Sequence, residues 1–153
     1  MSSDTIICID RSLEIPYPEW VSKIIHPELE KTGLDAYDLS TAVSLWFYKK
    51  QKKSRISGMT VYNYLKERNM LKSCLGLQDA LAVRTKGGAV FQEVFDNKEV
   101  YFFKSVVESC DDEGLHVPCL VMVCGRVALR WSWLDFNWSI KKSHSYFQVA
   151  NGV

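Results

Sequence analysis

The sequence predicts an α+β fold in which N-terminal helices pack on a C-terminal antiparallel sheet of three to four strands. Two textures point to it. Across about residues 16–96 apolar side chains recur at helical spacing, and across about 98–150 aromatic and β-branched residues dominate, with clean alternation in one stretch. A third observation sets the scale: 153 residues, 47% of them hydrophobic and 24% charged, with 8 Gly and 4 Pro. That composition excludes disordered, collagen-like and low-complexity chains, and the length suits one domain with one core. We therefore expect a single domain over 1–153.

Taken in order, residues 5–9 make a short β-like run, and Pro16 and Pro18 interrupt regular structure after it. Trp20, Val21, Ile24 and Ile25 then recur at helical spacing up to Pro27, and a short turn leads to Gly33. Asp38 or Ser40 is placed to cap a helix carrying Val43, Leu45, Trp46 and Phe47, a cluster that also suits a buried strand. Helix is the favoured reading there. Thr60 is a candidate cap for a helix with Val61, Tyr64 and Leu65 inward, which leaves Tyr62, Asn63, Lys66 and Glu67 nearer the outside. Leu77, Ala80, Leu81 and Arg84 show the same spacing, as do Val90, Phe91, Val94 and Phe95 after Gly87-Gly88. From Glu99 onward the pattern changes to strand: one run over 99–107, a polar turn at 111–114, a second run over 116–123, then alternation after Gly125. In that last segment Val127, Leu129, Trp131 and Trp133 share one face, and Ala128, Arg130 and Ser132 the other. Leu134, Phe136 and Trp138 read as a slip of parity, hence a bulge or turn. A final strand over 146–150 is expected to pair with the meander.

A formal charge of +1, from 19 Lys plus Arg against 18 Asp plus Glu, removes any whole-chain attraction to a polyanion. No run approaches the length of a bilayer span and the first residues lack the features of a secretory leader, so the expectation is a cytoplasmic protein without a membrane partner. Five irregularly spaced cysteines suit reduced thiols rather than a disulfide framework. Cys110, His116, Cys119 and Cys124 are residue types that bind zinc, but there is no C-x-x-C pair and Cys119 and Cys124 have opposite strand parity; neither a metal nor another cofactor is expected. The sequence has no nucleophile elbow, P-loop or dinucleotide fingerprint, and its three histidines lie in unrelated contexts. No catalytic residue is assigned. An enzyme with a site assembled from distant residues remains a third reading, which a polar pocket joining His116 or His144 to a cysteine would favour.

Two segments carry binding hypotheses. Three of the five tryptophans fall within residues 131–138. If Trp131 and Trp133 face the core, then Arg130, Ser132, Asn137, Ser139, Lys141, Lys142, His144 and Ser145 form an adaptable rim for a protein partner. The second segment is basic: Lys49, Lys50, Lys52, Lys53 and Arg55 put five positive charges in seven residues, just before a helix bearing Tyr62, Asn63 and Lys66. These groups could together contact phosphates and bases, although a solvated linker explains the lysines as well.

Several words of the chain carry a resemblance: Tyr17-Pro18-Glu19-Trp20-Val21, His26-Pro27-Glu28-Leu29-Glu30 with Thr32-Gly33, Tyr37-Asp38-Leu39-Ser40, Met70-Leu71-Lys72-Ser73-Cys74-Leu75-Gly76-Leu77, Lys104-Ser105-Val106-Val107 and Trp131-Ser132-Trp133-Leu134. Through them the chain resembles a family of short, uncharacterised bacterial proteins. The resemblance implies no activity. The tail alone, with its tryptophan-rich strand followed by Tyr146-Phe147-Gln148-Val149-Ala150, is similar to the end of ligand-binding proteins diversified by retroelements, which implies that Arg130, Ser132, Phe136, Asn137, Ser139, His144 and Ser145 are display positions for a partner. The favoured expectation is thus a non-enzymatic recognition module that presents its C-terminal tryptophan-rich surface to a protein. Nucleic-acid binding through the basic segment, in a mobile-element or defence setting, is the alternative.

Overall fold

A computed structural model of the chain describes residues 3–46, 56–96, 98–111, 114–135, 137–138 and 143–148, with backbone alone at 3, 45–46, 137–138 and 143–148. β1 (Ile6–Cys8) pairs antiparallel with β3 (Ala36–Asp38). Between them lies β2 (Val21–Ile24), a strand where helical spacing predicted a helix. The segment is hemmed between Pro18 and Pro27, and the residue before a proline is pushed out of helical geometry, so fewer than two helical turns were ever possible. Its backbone bonds go instead to a distant strand, with a register irregularity between Val21 and Lys23. Asp38 caps α1 (Leu39–Ala42), its carboxylate accepting from Ser40 N at 3.0 Å. The helix stops after one turn because Val43 is already extended (φ −118°, ψ 132°), and β4 (Val43–Trp46) takes over. The Asp38 cap is thus as expected, but Val43, Leu45 and Trp46 lie in the strand and not in the favoured helix, and Phe47 lies outside the described residues.

β5 (Ile56–Ser57) leads into α2 (Gly58–Glu67), capped by Ser57 rather than Thr60: Ser57 Oγ accepts from Thr60 N at 3.2 Å. α3 (Leu77–Lys86) and α4 (Gly88–Phe95) fall where spacing placed them. The run expected as one strand over 99–107 divides into β6 (Glu99–Tyr101), a 3-10 turn at Phe103–Ser105, and β7 (Val107–Ser109). β8 (Leu115–Val123) and β9 (Arg126–Trp133) form the expected hairpin, and β10 (Asn137–Trp138) and β11 (Ser143–Gln148) follow.

Among the described residues the main sheet has seven strands rather than three or four. Its order is β2-β7-β8-β6-β11-β4, with β9 on the other side of β8. Four of the chain's strands, β2 to β5, lie within the part read as helical. β11 pairs parallel with β6 and antiparallel with β4, so it does not join the hairpin as expected. β6 and β7 both pair with the same side of β8, Val100 opposite Leu120 and Val107 opposite His116. The 3-10 turn carries the chain from one pairing site to the next. Pro118 sits in that gap: its missing N–H falls where the ladder is interrupted, and its carbonyl still accepts from Phe102 N at 3.0 Å.

Both faces of this sheet are covered. Along β8, Leu120 joins a core with Ala80 and Val83 of α3 and Val90, Phe91 and Phe95 of α4. Val117, Cys119 and Val121, of opposite parity, join a second core with Val61, Tyr62 and Leu65 of α2. A strand buried on both faces reads as an unbroken apolar run, which is what the sequence shows at Val117-Pro118-Cys119-Leu120-Val121. Leu134 keeps the parity of Ala128 and is buried in the second core, and the expected turn falls at residues 134–135, after which β10 pairs with β5 in a separate two-stranded sheet.

A buried polar junction fixes the N-terminal segment to α3. Asp79, fully buried, receives Arg11 Nη2 at 3.0 Å, the Tyr37 hydroxyl at 2.7 Å and Gly76 N at 2.9 Å. Arg11 Nη2 also donates to the Leu34 carbonyl at 2.6 Å. At the other end, Gly88 opens α4 against the hairpin turn, where a Cβ would lie 2.7 Å from the Gly125 carbonyl oxygen.

Candidate functional site

The hairpin turn determines how β9 presents itself. Cys124 and Gly125 both have positive φ, 51° and 79°, and Val123 pairs with Arg126 across them, the geometry of a two-residue type I′ turn. The closing pair of such a turn is hydrogen-bonded, so Arg126, Ala128, Arg130 and Ser132 direct their backbone groups at β8. The bond from Leu134 N to the Leu115 carbonyl, 3.0 Å, continues the same phase. Val127, Leu129, Trp131 and Trp133 therefore direct their N–H and C=O groups away from β8. Among the described residues β9 has no second partner strand, so these four residues of the eight-residue strand form an open edge.

Different side chains flank the two sides of that edge. On the α3/α4 side Trp131, half-buried, meets Trp20 edge to face with ring centroids 5.4 Å apart, and Tyr17 at 6.3 Å. Trp20 in turn lies 5.3 Å from His116, which is opposite Trp133 in the register. The Trp133 indole packs so closely on Gly114 that a Cβ there would collide with it. Burial raises the Tyr17 phenol to about 12, so it stays neutral. On the other side Arg126 and Arg130 are exposed and Ser132 is half-buried, its Oγ 3.4 Å from Cys119 Sγ. Burial raises the Cys119 thiol to about 11, with the Ser132 contact opposing, so it too stays protonated at neutral pH.

The expected contrast between an inward indole face and a free polar face is thus corrected. The alternation is right, but Ala128 of the polar row packs on the second core, as Leu134 does in the same phase, and the indoles at 131 and 133 are half-buried rather than enclosed. The proposed rim is also divided. Asn137 pairs with Ser57 in the small β5-β10 sheet. His144 and Ser145 lie on β11, between β6 and β4, three strand spacings or roughly 14 Å from β9. Phe136, Ser139, Lys141 and Lys142 lie outside the described residues, as do the side chains of Asn137, His144 and Ser145. Among the described residues, Arg130 and Ser132 are the two that the fold brings together.

The basic segment, Lys49, Lys50, Lys52, Lys53 and Arg55, also lies outside the described residues. In the following helix Tyr62 is 1% exposed, not outward as expected. α2 packs on the sheet with a wide face, and the Tyr62 hydroxyl is drawn in to His26 Nε2 at 2.6 Å, with His26 Nδ1 3.6 Å from Glu28 Oε2. Burial lowers the His26 pKa, against the pull of Glu28, and raises the Tyr62 phenol to about 12. Asn63 is half-buried, and Lys66 is exposed with Nζ 4.9 Å over the Tyr62 ring. Sequence reasoning missed this Glu28-His26-Tyr62 chain because its members lie in separate segments, and it missed Tyr17, Trp20 and His116 beside Trp131 for the same reason.

Cys119 is buried on β8, Cys124 is exposed in the turn and Cys110 is exposed. Among the described residues no three His, Cys, Asp or Glu side chains are grouped to hold a metal ion, and no helix is long and apolar enough to cross a membrane. No protein family matches the chain, and neither does any curated protein or solved structure.

Proposed function

We propose that the protein is a non-enzymatic recognition module that adds an extended, acidic segment of a partner protein to the open edge of β9. The observation that supports this reading is the edge itself: four outward-facing residues, Val127, Leu129, Trp131 and Trp133, in an eight-residue strand paired on one side only among the described residues. Strand addition draws affinity from the main chain and specificity from alternate side chains. Arg126 and Arg130, about 13 Å apart along one side, would pair with carboxylates on the incoming strand, and the Trp20-Trp131 wall would cover its apolar residues. Exposed arginines also discourage the edge from pairing with a second copy of itself, since like charges would meet.

Random twelve-residue peptides selected on the intact protein provide the test. Acidic, alternating sequences should be enriched, and their amide NMR footprint should fall on residues 126–133. The double variant Arg126→Glu/Arg130→Glu should keep the native circular dichroism and bind these peptides at least tenfold more weakly. Footprints elsewhere, or indifference to charge reversal, would refute the reading.

A further inference from the structure

Segment 21–30 is lightly held. β2 pairs with β7 across an irregularity between Val21 and Lys23, and beyond it Ile25 N donates to the Val106 carbonyl at 3.1 Å. The 3-10 turn that follows, Pro27–Leu29, contains no buried residue, and Ile25 and Leu29 are half-buried where they rest on the second core. Segments with so little buried surface are the ones that open first. A buried side-chain bond fastens this one to α2: the Tyr62 hydroxyl and His26 Nε2 are 2.6 Å apart.

Glu28 sets the direction of that bond. Its Oε2 lies 3.6 Å from His26 Nδ1, so its charge favours the tautomer with the proton on Nδ1, and Nε2 accepts from the Tyr62 O–H. Tyr62 is enclosed, and among the described residues its hydroxyl has no other acceptor. A second proton on the imidazole sets N–H against O–H and leaves the tyrosine hydrogen unbonded inside the protein, which is costly.

The surrounding charges do not repair this. Among the described residues the charged groups acting on His26 are Glu28 on its own turn and Lys66 on α2, while the neighbouring chain meets the segment through Val106 and Val107, which carry none. The Glu28 side chain is 66% exposed, so water screens its attraction. Lys66, with Nζ 4.9 Å over the Tyr62 ring, opposes a second positive charge. Burial of the ring, the larger effect, adds to that opposition and holds the closed His26 below its ordinary 6.5. A ring turned out to water regains the ordinary value, so opening is favoured as pH falls below about 6.5 and suppressed above it.

We propose that the His26–Tyr62 bond is a proton-operated latch: protonation turns the His26 ring out to water and releases segment 21–30 from α2, baring the flank of the second core beneath Ile25 and Leu29.

Amide hydrogen exchange of the full chain at about pH 7.5 and about pH 5.5, corrected for the intrinsic effect of pH on exchange, is the test. Protection of the Ile25 and Leu29 amides should fall about three- to tenfold at the lower pH. The Leu134 amide, bonded to the Leu115 carbonyl, should keep its protection. His26→Gln, which takes up no proton, should give equal protection at both pH values, whether or not glutamine restores the bond to Tyr62. Glu28→Gln should deepen the acid loss by removing the counter-charge of the closed imidazolium, and Lys66→Met should lessen it. His116→Gln, which removes the imidazole beside Trp20, should leave the loss as it is in the natural sequence. An absence of acid loss at Ile25 and Leu29, a loss shared by Leu134, one that survives His26→Gln or vanishes with His116→Gln, or charge variants acting in the opposite directions would overturn the proposal.

Discussion

Lys104 is only 2% exposed, and burial lowers its pKa from the ordinary 10.5. The Asp79 charge opposes that shift and Arg11 reinforces it. Asp79 is already engaged by Arg11, Tyr37 and Gly76, so it supports the lysine only from a distance. Because the folded pKa lies below the unfolded one, the unfolded chain holds the extra proton between the two values, and this residue's contribution to stability rises with pH across that interval. At neutral pH the ammonium is a cost. Lys104→Met, similar in length and without charge, should therefore raise stability near pH 7 by about 1–2 kcal/mol in urea unfolding, and the gain should shrink as pH approaches 10.5. A variant equally stabilised at pH 7 and above pH 10.5 would show that packing, not the charge, was responsible. No local signal marks this residue's role, since one lysine after Tyr-Phe-Phe reads as the solvent side of a strand, and the 3-10 turn at Phe103–Ser105 brings it inward.

Among the elements, the β8–β9 hairpin was legible because alternation and a glycine are both local signals. β2 and β4 were not, because short apolar segments take whichever state a distant partner offers, β7 for one and β11 for the other. The division of 99–107 was hidden for a related reason: every residue of that run suits a strand, and the break exists so that two strands can share β8. The turn itself retains a local conflict. Cys124 adopts left-handed geometry (φ 51°), which asparagine tolerates better than other side chains with a Cβ. Cys124 is exposed, so its replacement alters little else. Cys124→Asn should stabilise the protein by about 0.5–1 kcal/mol and Cys124→Val should destabilise it by a similar amount, both read as shifts in the denaturation midpoint at constant slope. A neutral Asn variant would mean that the hairpin is held by its neighbours, Gly88 of α4 included, rather than by its turn.

For the molecule as a whole, the α+β class was legible from the sequence, whereas the sandwiching of the sheet between two cores was not. Periodicity reports one buried face at a time, and β8 is buried on both. The candidate edge was half legible: parity placed Arg130 opposite Trp131, but nothing local told which strand would lie beyond β9. The shared strand has a mechanical consequence. Phe91 lies in the first core and Leu65 in the second, each fully buried, and the cores lie back to back across the sheet, at Leu120 with its neighbours Cys119 and Val121 and at Val100 with Tyr101. Losing either core would expose one face of β8 and remove the reason for its pairing with β6, β7 and β9. The two layers should therefore unfold together. Phe91→Ala should cost about 3–5 kcal/mol and Leu65→Ala about 2–5 kcal/mol, and in both variants tryptophan fluorescence and far-ultraviolet circular dichroism should follow one coincident transition. If Leu65→Ala instead split the transition, with helical signal lost before fluorescence, α2 would be a detachable layer and β8 would not couple the two cores.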